Sequence, residues 1–132
     1  MTSGTCSIAQ KAATAAINSD ASYPKMMREA FMHRRDVVIE RLKKITGFKA
    51  KVPQGAFYVF AEVSYFFGKK HGHKTIENSA DLCMYLLNNA FVATVPGSAF
   101  GADNYIRFSY AASEEELLEA LNRIEKAVAE LI

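Results

Sequence analysis

The chain of 132 residues is long enough for one sizeable hydrophobic core and short for two. Its residues are 50% hydrophobic and 23% charged, and the formal net charge is +2, so the composition is typical of a globular domain and gives no basic surface for a nucleic acid. No apolar run reaches the length of a membrane span and the N-terminus lacks the layout of a signal peptide, so we expect a cytoplasmic protein with no membrane or nucleic-acid partner.

Two helices are predicted in the N-terminal third. Residues 2–18 are rich in alanine and form the first helix. The second helix begins near Ser22, with Pro24 in its first turn, and continues to Ile45. At about 1.5 Å per residue, some twenty residues of this helix reach about 30 Å, which is enough to bridge two lobes of an enzyme. The candidate caps of the first helix are Ser3, Thr5 and Ser7, and the apolar stripe of the second is Met27, Phe31, Val38, Leu42 and Ile45.

Two strands are predicted next. Residues 48–52 form a short edge strand, which Pro53 ends because proline cannot donate to the ladder. Residues 56–63 are apolar on both alternating faces, and such a strand is expected to be covered on both sides. One cover is the domain's own helices, and the other is its ligand or a neighbouring domain.

The cysteines and histidines do not form a pattern typical of a metal site. Cys6 and Cys83 lack CxxC spacing, and we expect both to be buried free thiols of a reducing compartment. His71 and His73 offer two ligands with no acidic or third histidine partner nearby. Residues 68–74, which contain them, are predicted to form a mobile, solvated loop.

Two further helices are predicted in the second half of the chain. One begins at Asn78 or Ser79, with an apolar face made of Leu82, Cys83, Leu86, Leu87 and Ala90. The other begins at a capping box formed by Ser113 and Glu116. Its apolar stripe consists of Leu117, Leu121, Ile124, Val128 and Leu131.

The segment between these two helices contains the most informative residue, Arg107. Residues 92–95 and 105–109 are predicted strands, joined by a loop that contains proline and glycine. Side chains alternate across a strand, so Ile106 and Phe108 share one face while Arg107 is displayed on the other. An arginine fork suits a carboxylate ligand. On residue type alone, a solvated arginine or one paired with a neighbouring acid remains the alternative.

The elements together predict an α+β fold. It consists of a small mixed β-sheet with helices packed mainly on one face, plus the long helix near the N-terminus. If the strands at residues 56–63 and 92–95 are parallel, the helix between them makes a right-handed crossover.

Three motifs resemble those of the class I, fold-type I aminotransferases, which use pyridoxal phosphate, and especially of bacterial aspartate aminotransferases. Residues 92–111 contain Pro-Gly, then Phe-Gly, then Ile-Arg-Phe-Ser-Tyr-Ala. Residues 51–60 contain Pro-Gln-Gly-Ala-Phe-Tyr, and residues 2–13 contain Thr-Ser followed by Ser-Ile-Ala-Gln and Ala-Ala. The motifs occur in the family's order and span nearly the whole chain.

The resemblance implies a domain organisation and a role for specific residues. Residues 1–22 would be a helix of the large cofactor domain, and residues 23–132 the C-terminal small domain. Arg107 matches the family's strand arginine, which binds the α-carboxylate of the amino-acid substrate. Phe57 and Tyr58 match residues near the substrate entrance. The family implies amino-acid and 2-oxo-acid substrates and a homodimer.

None of the lysines stands in the family's cofactor-binding motif, and the residues that hold the pyridine nitrogen and the phosphate are missing too. We therefore expect no catalytic, cofactor-binding or metal-binding residue in this chain, and an inactive C-terminal portion of the enzyme. Two alternatives remain at this stage. One is a stand-alone module that binds a carboxylate through Arg107. The other is a helical interaction domain that uses the apolar stripe of the second helix.

Overall fold

The computed structural model describes residues 4–132, so the predicted cap Ser3 and the Thr-Ser motif at residues 2–3 lie outside the described residues. The chain divides into two compact units, Met1–Ala30 and Phe31–Ile132. The division at residue 22 that the family resemblance implies stays a prediction.

The helices are α1 (Ser7–Asn18), α2 (Ser22–Lys44), α3 (Ser79–Ala90) and α4 (Glu114–Ala129). The strands are β1 (Lys49–Ala50), β2 (Tyr58–Glu62), β3 (Lys70–His71), β4 (Lys74–Thr75), β5 (Val95–Pro96) and β6 (Tyr105–Ser109). Short 3-10 helices cover Ser64–Phe66 and Gly97–Phe100. No helix among residues 4–132 has the length and apolarity needed to cross a membrane.

The first unit contains α1, whose start differs from the prediction. Cys6 occupies the N-cap position and makes no side-chain capping bond, so the caps predicted at Thr5 and Ser7 are wrong. The helix buries none of its residues, and Ile8 is 78% exposed. Cys6 is likewise exposed, which contradicts the expected buried thiol, because no described residue covers the start of α1.

The helix α2 follows the predicted bounds closely. Its last turn carries Arg41, Lys43 and Lys44, whose positive charges favour the C-terminal end of a helix. Its residues from Phe31 onward belong to the second unit. Of the predicted stripe, Val38, Leu42 and Ile45 are buried in the core, and Phe31 packs against it.

The main sheet has the strand order β1-β2-β6-β5, and every pairing in it is antiparallel. The predicted small sheet is therefore confirmed, but it is antiparallel and not mixed. The reason is that β6 lies between β2 and β5 and runs opposite to both. Of the strand predicted at residues 92–95, Val95 alone lies in β5; residues 92–94 follow the end of α3, where Phe91 has a left-handed conformation with φ 55°.

The core lies on one face of this sheet, as predicted. Val59 and Ala61 on β2 and Ile106 on β6 are fully buried on that face, and Phe108 is 6% exposed. The helices α3 and α4 pack against each other and complete the core. Within α3, Leu82, Cys83, Leu86 and Ala90 are buried as predicted, whereas Leu87 is 43% exposed.

Tyr85, which was not predicted to be buried, is part of the buried face of α3 in addition to the predicted residues. Its hydroxyl donates to the carbonyl oxygen of Ala127 at 2.7 Å, which joins α3 to α4. Burial also raises the pKa of the Cys83 thiol, to which the Thr94 hydroxyl donates at 3.1 Å. The predicted capping box of Ser113 and Glu116 is confirmed at the start of α4. Its predicted stripe of Leu117, Leu121, Ile124, Val128 and Leu131 is buried.

Residues 68–74 are largely exposed to solvent, as predicted, but they do not form an irregular loop. They form most of a two-stranded hairpin, in which β3 pairs with β4. Lys70 also exchanges two backbone hydrogen bonds with Ile132, at 2.8 and 3.1 Å, and His71 Nε2 lies 3.5 Å from Glu130 Oε2. Backbone pairing therefore orders this basic segment in spite of its charge.

Candidate functional site

The candidate site lies on the sheet face that the helices leave open. Arg107 on β6 lies directly opposite Phe60 on β2, and Tyr58 lies opposite Ser109. The burial pattern of β6 alternates as predicted, with Ile106 and Phe108 inside and Arg107 outside. The face that carries Arg107 is partly exposed, so the expected second cover of β2 is not formed by the described residues.

Two aromatic rings flank the Arg107 guanidinium. Its central carbon lies 5.3 Å from the ring centroid of Tyr58 and 5.1 Å from that of Phe100, distances typical of cation–π contacts. Within residues 4–132 Arg107 forms no ion pair with a carboxylate. The alternative that Arg107 pairs with a neighbouring acid is therefore not found among residues 4–132, and the N–H donors of Arg107 can bind a ligand.

Phe100 also belongs to the site, although no periodic pattern in the sequence indicated a role for it. Its short 3-10 helix ends at Gly101, whose φ of 72° suits glycine. Gly97 at the start of the segment lies so close to β6 that an added Cβ would stand 2.0 Å from Ala102 O and 2.4 Å from Tyr105 O. This close approach brings Phe100 back over the sheet, where its ring meets that of Phe60 edge to face at 6.0 Å. The Phe-Gly pair that follows Pro-Gly in the sequence is the feature that could have indicated Phe100 as a site residue.

Phe57 and Tyr58, the other predicted site residues, stand at the start of β2. Tyr58 contacts Arg107 directly, whereas Phe57 contacts the Tyr58 ring, edge to face at 5.5 Å. Phe57 is 52% exposed. The residue before it, Ala56, has φ 64°, an unusual value for a residue other than glycine. The structure thus places Tyr58 against Arg107 and Phe57 beyond it.

The four side chains Tyr58, Phe60, Phe100 and Arg107 line a cleft of ≈ 220 Å³. A groove of ≈ 640 Å³ shares Tyr58 and Phe60 with it and extends toward β1 and the turn before β2. The smaller cleft suits the carboxylate end of a small molecule more than a whole cofactor.

Two charged side chains that line the groove, Lys49 and Glu62, are paired with each other. Glu62 lies 3.5 Å from Lys49 Nζ, and the Ser64 hydroxyl donates to the Glu62 carboxylate. This hydroxyl is the main reason why the pKa of Glu62 is lowered from its ordinary value. The partners of the Glu62 carboxylate are thus Lys49 and Ser64, and among the described residues Glu62 does not form an ion pair with Arg107.

Comparisons with known proteins agree with the motifs. The family described as aminotransferase class I and II matches residues 1–124. The aspartate aminotransferase of Rhizobium meliloti (strain 1021) is 46% identical over 127 residues, which are 96% of this chain and 31% of that protein. A bifunctional aspartate and glutamate/aspartate-prephenate aminotransferase of Petunia hybrida is 45% identical over 131 residues, 96% of this chain and 27% of that protein.

The fold agrees as well. The crystal structure of an aspartate aminotransferase from Rhizobium meliloti matches with a TM-score of 0.91 at 44% identity, over 95% of this chain and 32% of that one. The chain spans about a third of the length of these relatives and corresponds to their C-terminal part. The fold and the resemblance predicted from the three motifs are thereby confirmed.

Proposed function

Because the chain belongs to the class I and II aminotransferase family, we propose that it is the substrate-clamping small domain of an aspartate-type aminotransferase that uses pyridoxal phosphate. In this proposal Arg107 binds the α-carboxylate of the amino-acid substrate. The observation that carries it is the placement of Arg107 on the open sheet face, within 5.3 Å of the ring centroid of Tyr58 and 5.1 Å of that of Phe100, and without an acidic partner among residues 4–132.

The chemistry of the clamp follows from the shape of the guanidinium. Arg107 can offer two parallel N–H donors to the two oxygens of a carboxylate. Two hydrogen bonds to one carboxylate fix the orientation of the amino acid as well as its position, and the amino acid must be oriented for its Cα–H to be removed. The Tyr58 ring restricts the guanidinium from one side and Phe57 extends the apolar wall, so both help to exclude water when the site closes.

Lys49, which lines the groove beside the cleft, does not fit the covalent attachment of pyridoxal phosphate. The side chain of Lys49 is 77% exposed and forms an ion pair with Glu62, which is unlike a lysine held for covalent attachment. We therefore assign substrate binding to this chain and the cofactor to another part of the enzyme. The homodimer that the family resemblance implies, and the cytoplasmic location expected from the sequence, belong to the same proposal.

An exchange experiment tests the assignment of Arg107. Residues 4–132 would replace the corresponding part of the Rhizobium meliloti aspartate aminotransferase, and aspartate turnover would be measured. Arg107→Ala should lower kcat/KM by about 100-fold or more, since removing one partner of a desolvated charge pair is costly. Arg107→Lys should lose at least about tenfold, because an ammonium group cannot bind in a bidentate way.

The matched control is Arg123→Ala, which removes an arginine that pairs with Glu119 at 2.8 Å on α4. This variant should keep the kcat/KM of the parent chimera. The assignment is wrong if Arg107→Ala and Arg123→Ala have the same small effect. A separate assay mixes the 132-residue chain with pyridoxal phosphate, and we expect neither a stoichiometric absorbance band nor transaminase turnover.

A stand-alone carboxylate-binding module is the second candidate. It is favoured by the core of the unit Phe31–Ile132, which forms the Arg107 cleft from its own residues. Calorimetry with succinate, on the chain and on its Arg107→Ala variant, separates the two candidates. A module should bind succinate through Arg107 without any other domain, whereas the small domain of an aminotransferase should show little binding alone.

A further inference from the structure

Ser79 is the buried polar residue of the core, with 0% of its surface exposed. It is the first residue of α3, and its hydroxyl donates to Asp103 Oδ1 at 2.7 Å. Its backbone N–H is directed at the same oxygen at 3.4 Å. The Ser79 oxygen also accepts from the backbone N–H of Ser98 at 3.4 Å. One buried side chain thus connects both ends of the segment 97–103 to the start of α3.

Capping of α3 does not require this arrangement. Asn78 is the N-cap, and its side chain already accepts from the backbone N–H of Asp81 at 2.9 Å. The Ser79 hydroxyl is instead directed away from its own helix, toward Asp103, which lies 24 positions further along the chain. Its bond to a carboxylate is charge-assisted, which makes it stronger than a bond between neutral groups.

The segment that Ser79 and Asp103 hold is the one that carries Phe100. Gly97 rests on the backbone of β6, and the backbone N–H of Ala102 donates to Gly97 O at 3.0 Å. The segment is therefore fixed to β6 on one side and to α3 on the other. Phe100 projects from it to within 5.1 Å of the Arg107 guanidinium carbon. A loosened segment would remove one of the two rings that define where the guanidinium stands.

We propose that Ser79 and Asp103 are positioning residues for Arg107, acting through the segment 97–103 and the ring of Phe100. The inference rests on the proposed function, because it assigns a task to the arginine that binds the substrate carboxylate. Neither Ser79 nor Asp103 touches the substrate. They keep the guanidinium in place before the carboxylate arrives, so that little ordering remains to be done on binding.

A double-mutant cycle in the chimeric enzyme tests this coupling. Asp103→Ala should lower kcat/KM for aspartate by about tenfold, since small displacements of a binding group are costly. In the Arg107→Ala background the same change should have almost no further effect, because residues that act through one another are not additive. Asp103→Asn retains an acceptor oxygen and should recover most of the loss.

Asn78→Ala is the matched control, since it weakens the start of the same helix without touching the segment 97–103. It should lower the thermal midpoint and leave kcat/KM unchanged. Equal losses from Asp103→Ala in both backgrounds, or no loss in either, would overturn the inference. If Arg107→Ala itself leaves kcat/KM unchanged, the proposed function fails instead, and the two failures are distinguishable.

A second measurement uses the 132-residue chain without any ligand. The Arg107 guanidinium carbon lies 5.3 Å and 5.1 Å from the ring centroids of Tyr58 and Phe100, so side-chain protons next to the guanidinium should give NMR signals shifted upfield. Asp103→Ala and the milder Ser79→Ala should move these signals toward the values of an exposed arginine, while Asn78→Ala should not. A folded Ser79→Ala variant with unchanged Arg107 signals would contradict the positioning role, whatever the chimera shows.

Discussion

The phenol hydroxyl of Tyr110 donates a hydrogen bond to the carbonyl oxygen of Ala56 at 3.0 Å, across the turn that precedes β2. The backbone N–H of Tyr110 donates to Phe57 O at 2.8 Å, so two hydrogen bonds connect Tyr110 to the turn. Ala56 has φ 64°, a left-handed conformation that disfavours any side chain with a Cβ. Tyr110 therefore maintains a strained turn next to Tyr58, one wall of the Arg107 cleft.

Tyr110→Phe should destabilise the fold by about 1 kcal/mol, because the change removes the hydrogen bond that joins the buried Tyr110 to the turn at Ala56. Burial also raises the pKa of Tyr110, as expected for a hydroxyl kept from water. Urea denaturation of the 132-residue chain measures the loss. Tyr105→Phe, which removes a hydroxyl from the open face, is the control and should change the free energy of unfolding by less than about 0.5 kcal/mol. Equal effects of the two variants would show that the Tyr110 hydroxyl does not stabilise the turn.

Gly97→Ala should be among the most damaging single changes in the chain. The added Cβ would stand 2.0 Å from Ala102 O and 2.4 Å from Tyr105 O, and both neighbours are backbone atoms that cannot rotate away. We expect a loss of about 2 kcal/mol or more in the free energy of unfolding, as for overpacked sites. Gly55→Ala is the matched control, since a Cβ there meets nothing within 4 Å. A Gly97→Ala variant as stable as Gly55→Ala would refute the close approach.

The sequence predicted those parts of the fold that depend on neighbouring residues. The alternation of Ile106, Arg107 and Phe108 follows from the two-residue period of a strand, and it placed the guanidinium on the correct face. The capping box of Ser113 and Glu116 lies within one helical turn, so its residue types alone predicted the start of α4.

Features that depend on distant partners were missed. The hairpin of β3 and β4 is ordered partly by Ile132, more than fifty positions away, which no local pattern of lysines and histidines could indicate. Phe100 reaches Arg107 because Gly97 folds back on β6, and periodicity carries no information on such an approach. Cys6 was expected to be buried from its residue type, but burial depends on what packs against α1.

Stability near the start of α4 should depend on pH through Glu116. The Ser113 hydroxyl donates to the Glu116 carboxylate at 2.9 Å, and this bond is the main reason why the pKa of Glu116 lies below its ordinary value of 4.5. A carboxyl group whose pKa is lowered by folding stabilises fully above its unfolded pKa, and the stabilisation is lost as the pH falls through the folded pKa.

Ser113→Ala should therefore cost about 1 kcal/mol at pH 7, the usual value of an N-cap. The difference from the parent chain should shrink as the pH falls below 4.5. Urea denaturation at several pH values measures both. Glu115→Gln, in the same first turn, serves as the control for the loss of one negative charge near the helix N-terminus. A Ser113→Ala deficit that stays constant from neutral to acidic pH would show that the carboxylate does not contribute through this bond.

Phe100→Leu should weaken substrate binding while preserving the apolar bulk of the cleft wall. Leucine lacks the π face that attracts the Arg107 guanidinium, and contacts of this kind contribute about 0.5–2 kcal/mol, so kcat/KM of the chimera should fall by about 3- to 30-fold. The matched control is Tyr65→Leu, which removes the ring that lies 5.2 Å from Lys69 Nζ, a cation–π contact formed by residues that do not line the cleft. Because Tyr65 lacks a connection to Arg107, its loss should affect stability and leave kcat/KM alone. If the two variants reduce kcat/KM equally, the Phe100 ring has no specific role, and the guanidinium must be held by Tyr58 and the strand alone.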